Sequence, residues 1–239
     1  MEIKEKDFIE VNFTGKTQDG ETFDSTLKEE LDKIDPADGN KINPKPFIFC
    51  VGKDMFLKSL DKFLIGKEIG KKYSVKLKPE EAFGKRSPSL IQRVPIRLFH
   101  EQKIKPIMGT TLNFDGRIGK ILIVSGGRVM VDFNHLLAGK DVQYEIEVIR
   151  KVEDTKEKIK ALTDFLFKRE LEFDLREKDK KIIFKVEKPL VEFLKLFNDK
   201  FKETLDLEIE TEIINEPKEF SKNLSKENSE NDKKSQQSL

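Results

Sequence analysis

Val11 to Ser25 reads VNFTGKTQDGETFDS. Ile9, Val11 and Phe13 alternate with polar residues, Asp19-Gly20 supplies a turn favoured in hairpins, and Thr22-Phe23 resumes a β-prone run. The pattern predicts a β-hairpin. Phe13 and Phe23 point to the buried side, and Asp24 ends the second strand as a carboxylate beside aromatic rings. Taken alone this is an ordinary hairpin with core aromatics and a turn-forming Asp.

The chain has 239 residues, enough for two or three small domains. Its 46 Lys and Arg balance 45 Asp and Glu, leaving a net charge of +1, which argues against a dedicated nucleic-acid or anionic-membrane binder. No stretch approaches the roughly 18 apolar residues of a membrane span. The first residues, MEIKEKD, are charged where a signal peptide would be apolar. Cys50 is the single cysteine, so an intrachain disulfide is excluded, and a cytoplasmic setting is expected.

Working outward from the hairpin, Lys28 to Lys45 is polar and broken by Asp35-Pro36, Asp38-Gly39-Asn40 and Asn43-Pro44, a surface loop. Phe47 to Val51 reads as a strand buried on both faces and stopped by Gly52, with Cys50 as a packing residue. Met55, Phe56, Leu57, Leu60, Phe63 and Leu64 predict an amphipathic helix beginning near Lys53 and ending at Gly66. Lys72 to Lys78 alternates as a strand that Pro79 ends, leading to Phe83-Gly84.

These residues resemble FKBP-type peptidyl-prolyl isomerases. The family opens with an aromatic-Thr-Gly followed by Asp-Gly and Phe-Asp-Ser, as in Phe13-Thr14-Gly15, Asp19-Gly20 and Phe23-Asp24-Ser25. The likeness continues through Lys45 to Gly52, the apolar helix, Pro79-Glu80-Glu81-Ala82-Phe83-Gly84, Asn134-His135-Leu136-Leu137-Ala138-Gly139 and Val142 to Val148. It covers about the first 150 residues. Between Phe83-Gly84 and Asn134 lies an insert, placed where SlyD-like and archaeal members carry an insert-in-flap domain. Beyond residue 150 the chain is most similar to the longer archaeal members.

The insert reads as strands at Thr111 to Phe114, Arg117 to Val124 and Arg128 to Phe133, with Ser125-Gly126-Gly127 as a hairpin turn. Its apolar residues are too many for a loop and few for a self-sufficient core, so some are expected on the surface as a protein-binding patch. Ile91, Val94, Leu98, Phe99, Met108, Phe114, Ile123 and Met130 are the candidates for that chaperone surface. Gly116-Arg117-Ile118-Gly119-Lys120 lacks the spacing of a phosphate loop and is taken as a hairpin. His100 and His135 are the only histidines, and HEQKI is not a paired-histidine zinc motif, so no metal is expected.

After the closing strand at Asp141 to Val152, Thr155 is the expected cap of a helix carrying Ile159, Leu162, Phe165 and Leu166. Leu171 to Leu175 and Lys181 to Glu187 read as strands. Pro189 starts a helix bearing Leu190, Phe193, Leu194, Phe197 and Phe201, and Leu205 to Ile214 is a last strand. At roughly sixty residues such a domain is marginal alone, which makes pairing with a second copy its expected partnership. From Asn215 polar residues dominate and disorder is expected.

The expected organisation is therefore α+β. An FKBP-like antiparallel sheet wraps on a short helix over residues 1–84 plus 134–152. A β-rich insert fills 85–133, a C-terminal α+β domain 155–214 and a disordered tail 215–239. The resemblance implies an isomerase acting on X-Pro peptides and on unfolded or partly folded proteins, without cofactor. It implies that Asp24, Phe83, Tyr144 and Leu57 act on the peptide bond, the last through its backbone N–H. Phe13, Phe23, Phe47, Phe49, Met55, Phe56, Leu60, Leu136 and Leu137 would line the site. Phe13 and Phe83 stand where many members have Tyr, and Leu60 where the best-known members have Trp. The competing reading is a non-catalytic holdase chaperone on the same fold, and a scaffold role through the C-terminal domain is a third.

Overall fold

The computed structural model describes residues 1–34 and 44–214. The turns expected at Asp35-Pro36 and Asp38-Gly39-Asn40, Asn43, and the tail from Asn215 lie outside the described residues. The chain divides into two compact units, Met1–Lys151 and one that begins at Val152. Both are mixed α+β, and antiparallel pairing dominates among their strands. No helix among the described residues is long and apolar enough to cross a membrane.

In the first unit, strand β1 (Phe8–Thr17) turns through Asp19-Gly20 into β2 (Thr22–Ser25), with Gly15 paired to Asp24. Gly20 has a φ of +84°, which only a glycine adopts without strain. A short helix α1 (Lys28–Leu31) follows, and β3 (Phe47–Cys50) pairs with the first half of β1, opposite Phe8 to Val11. Helix α2 (Lys58–Leu64) buries Leu60, Asp61 and Leu64. Strands β4 (Lys72–Leu77) and β9 (Val142–Lys151) complete a five-stranded sheet of order β2-β1-β9-β4, β3 sharing the β1 edge with β2. Along β9, Val142, Tyr144, Ile146 and Val148 are buried at every second position, the signature of a strand with one covered face.

Two expectations are corrected here. β3 pairs only with β1, so it is an edge strand with Phe47 and Ile48 half-buried; only Phe49 and Cys50 are sealed. The helix starts at Lys58 rather than near Lys53, because Gly52 (φ +79°) and Asp54 (φ +57°) take left-handed conformations that no α-helix accommodates. Met55, Phe56 and Leu57 therefore lie in a turn before the helix.

The segment between Gly84 and Asn134 forms its own four-stranded antiparallel sheet, β5 (Ile91–Pro95), β8 (Arg128–Asp132), β7 (Arg117–Ser125) and β6 (Thr111–Phe114) in that spatial order. Asp115-Gly116 and Gly126-Gly127 all have positive φ, as two-residue hairpin turns require, so the phosphate-loop lookalike is indeed a hairpin. Helix α3 (Ile96–Glu101), unexpected from sequence, places Phe99 in a small core with Ile121, Val129 and Val131. The neck of this segment is pinned. Arg86 donates to the Asp132 carboxylate through Nε at 2.9 Å and Nη2 at 2.6 Å. The Ser87 N–H donates to Asn134 Oδ1 at 2.8 Å, and Asn134 Nδ2 returns a bond to the Ser87 carbonyl at 3.0 Å.

In the second unit, α4 (Thr155–Phe167) is capped by Asp154, not Thr155. The Asp154 carboxylate accepts from the Lys156 N–H, which a carboxylate does better than a hydroxyl because it also meets the positive end of the helix. Strands β10 (Phe173–Arg176) and β11 (Lys181–Val186) form a hairpin. The apolar stripe from Leu190 to Phe201 is broken into α5 (Lys188–Lys195) and α6 (Asn198–Leu205) at Leu196-Phe197. They connect β11 to β12 (Glu208–Ile213), which pairs parallel to it.

Candidate functional site

Gly15 sits near the C-terminal end of β1, opposite Tyr144 on β9 and Asp24 on β2. It is bare for a reason. A Cβ there would stand 2.6 Å from Phe23 Cζ and 3.1 Å from Tyr144 Cε1, so the glycine lets both rings close over the β1 backbone. Phe23 and Tyr144 meet edge to face with centroids 5.7 Å apart.

Around this pair a continuous ring cluster assembles. Tyr144 packs on Phe13 (6.1 Å) and Phe56 (5.7 Å), and Phe13 packs on Phe56 (5.0 Å) and Phe47 (6.2 Å). Phe49 stacks on Phe47 at 5.3 Å and touches Phe56 at 5.3 Å. Phe83 closes the other side against Phe23 at 5.7 Å, edge to face. The sequence thus draws seven rings into one patch from four strands and two turns. Met55 and Leu60, also expected at the site, are buried. Met55 is held by the Cys50 N–H, which donates to its Sδ at 3.4 Å.

The polar groups of the patch are few. Asp24 stays accessible at the surface, yet loss of hydration against the rings raises its pKa above the ordinary carboxylate value, opposed by a hydrogen bond from the Ser25 backbone. The Tyr144 phenol is pushed up, first by burial and then by the Asp24 charge. Leu57 ends its turn in an extended conformation, and its carbonyl starts α2 by accepting from the N–H groups of Leu60 and Asp61.

His135 joins the cluster although the sequence reading weighs it only as a metal ligand. Its ring lies parallel to Phe83 with centroids 4.7 Å apart, and its Nδ1 accepts from the Leu137 N–H at 3.2 Å. The sequence signal was its place in the Asn134 to Gly139 motif, which returns beside Gly84, where the Gly139 N–H donates to the Gly84 carbonyl. Leu137 is half-buried in the same turn, and Leu136 is exposed. Among the described residues no group of three His, Cys, Asp or Glu side chains is placed to hold a metal.

Of the residues expected on the insert surface, Ile91, Ile123 and Met130 share the outer face of its sheet, where Ile91 precedes Arg93 by two and Arg93 and Ile123 flank Met130. Ile118 lies on that face too and is 52% exposed, Met108 is 71% exposed, and Leu98 is exposed on α3. Phe99, 3% exposed, is not a surface residue: α3 turns it into the core, and Phe114 and Val94 pack against it from the inner face.

The Methanocaldococcus jannaschii short-type peptidyl-prolyl cis-trans isomerase is 31% identical over 146 residues, 61% of this chain and 92% of its own length. The Escherichia coli (strain K12) FKBP-type 16 kDa peptidyl-prolyl cis-trans isomerase is 34% identical over 151 residues, 62% of this chain and 92% of that one. The chain belongs to the FKBP-type peptidyl-prolyl cis-trans isomerases. The Haemophilus influenzae FKBP-type isomerase SlyD is 30% identical over 164 residues, 66% of this chain and 77% of its own. Residues 92–137 match a family model described as FKBP26, IF domain. The relatives' shared enzyme class makes this chain a peptidyl-prolyl cis-trans isomerase.

Proposed function

We propose that the ring cluster around Tyr144 is where this isomerase twists X-Pro bonds, and that the inserted sheet supplies unfolded chains to it. The barrier to the reaction, roughly 20 kcal/mol, is the loss of amide resonance. The twisted state is an amine beside a ketone and is less dipolar than the planar amide. A site that strips water from the bond therefore favours the twisted form, and it needs neither nucleophile nor cofactor. Seven rings with a single carboxylate at their edge fit that requirement, and this is the observation that carries the reading.

In this reading residues 1–84 plus 134–152 are the catalytic domain and 85–133 a capture domain, with Ile91, Ile118, Ile123 and Met130 offering apolar contacts to unfolded chain on a face they share with Arg93, Lys120 and Asp132. Phe83 and His135 flank the two crossings of the neck, so a chain held on the insert is delivered beside the rings. Asp24 and the Leu57 N–H fix the peptide. The test is the rate of cis-to-trans isomerisation of a short Xaa-Pro peptide with the full chain and with Asp24→Ala. Acceleration that the variant reduces about tenfold or more, as loss of a hydrogen bond to a charged group implies, with unchanged circular dichroism, supports the reading. No acceleration beside intact suppression of aggregation favours the holdase alternative.

A further inference from the structure

Phe13 and Phe83 bring no hydroxyl to the rings, yet one ring of the cluster carries one. Tyr144 is 2% exposed, surrounded by Phe13, Phe23 and Phe56, and among the described residues its hydroxyl makes no hydrogen bond. A buried phenol normally finds a partner, because an unmade bond forfeits the hydration it gave up. The oxygen is nevertheless not sealed in. The fully buried, unpaired side-chain oxygens among the described residues are those of Thr17, Asp61 and Thr204. The small accessible area of Tyr144 thus includes its oxygen, on a ring packed against Phe13, Phe23 and Phe56. Asp24 is near enough for its charge to act on the phenol without being bonded to it. Gly15 holds the ring in this place by leaving room for it.

We infer that the Tyr144 hydroxyl is the hydrogen-bond donor that receives the amide of the bound X-Pro peptide, a role that rests on the ring cluster being the catalytic site. The phenol stays protonated at working pH, so it is always a donor. Its partner arrives with the substrate: the amide enters an apolar space, loses its water and regains one bond from Tyr144. A proline-containing peptide supplies an acceptor on the residue before proline and no N–H at the proline itself, so a donor is what the site must provide.

Tyr144→Phe removes that one atom and keeps every ring contact. The expected result is a loss of about fivefold to tenfold in kcat/KM for a short Xaa-Pro peptide, with Tm unchanged, since the hydroxyl has no partner within the described residues to lose. Wild-type rates inside twofold of the variant, with the wild type active and Phe56→Ala impaired, overturn the role of the hydroxyl while leaving the site intact. A wild type that does not accelerate the peptide overturns the site itself. The same pair of proteins compared with a peptide carrying a thioamide before proline gives a second readout. Sulfur is the poorer acceptor, so the gap between the wild type and the Tyr144→Phe variant narrows if the hydroxyl donates there and stays equal if it only packs.

Discussion

Asp61→Asn should stabilise this protein, against the usual direction for a change at a buried site. Asp61 is 4% exposed on α2; its Oδ2 accepts from the Gly52 N–H at 3.0 Å, and its Oδ1 has no partner. Desolvation raises its pKa from 3.8 to about 6, reinforced by the charge of Asp54 and opposed by the Gly52 bond. A carboxyl that holds its proton more tightly in the folded than in the unfolded chain makes stability fall as pH rises between those two values. The penalty is absent below about pH 4 and complete above about pH 6. Converted at 1.36 kcal/mol per pH unit it is worth ~3 kcal/mol as an upper figure. Asn keeps the acceptor for Gly52 and carries no charge. At pH 7 the first unit of Asp61→Asn should gain ~1–3 kcal/mol, and below about pH 4 the two proteins should coincide. The chain has no Trp, so urea unfolding is followed by far-ultraviolet circular dichroism from about pH 4 to about pH 7.5. Parallel curves for wild type and variant across that range would refute the reasoning, since they would mean that the carboxyl is as well solvated folded as unfolded.

Gly15→Ala places a methyl 2.6 Å from Phe23 Cζ, forcing the Phe23 ring and with it Asp24 from their places; a loss of ~1–3 kcal/mol in stability and a raised KM for Xaa-Pro peptides are expected, read by urea unfolding and peptide kinetics. Burial alone would raise the pKa of Asp132, but hydrogen bonds from Asn134 and Arg86 outweigh it and hold the carboxyl below its ordinary value. Its contribution is therefore present above about pH 4 and lost as pH falls through the lower folded value. Asp132→Ala should speed amide hydrogen exchange at Ser87 and Asn134 at neutral pH while leaving β9 protected.

The hairpin at Val11 to Ser25, the strands with period-two apolar residues and the glycine turns were legible in sequence because local chemistry dictates them. Tyr144, Ile146 and Val148 alternate on β9 as the pattern requires. The start of α2 was not legible, since Met55 and Phe56 lie at helical spacing from Leu60 while the backbone at Gly52 and Asp54 turns the other way. Likewise Leu196 carries an apolar side chain at the break between α5 and α6 and stands exposed, which periodicity alone cannot show. At the site the aromatic residues were readable by type and motif, but their convergence depends on the Gly15 contact and on the neck that brings Phe83 to His135. Both are long-range arrangements, with Phe83 and His135 separated by the whole insert. Phe99 was misplaced because an apolar residue in a small domain reads the same whether it faces inward or out.

The most direct test of the account maps where a proline peptide is held while it isomerises. A labelled chain titrated with a short Xaa-Pro peptide under exchange spectroscopy reports the cis-trans rate of the peptide and the perturbed residues in one sample. The account predicts accelerated exchange together with perturbed aromatic signals from Phe13, Phe23, Phe56, Phe83 and Tyr144. Perturbations confined to the outer face of the inserted sheet, at Ile91, Ile123 and Met130, with no acceleration, would contradict it.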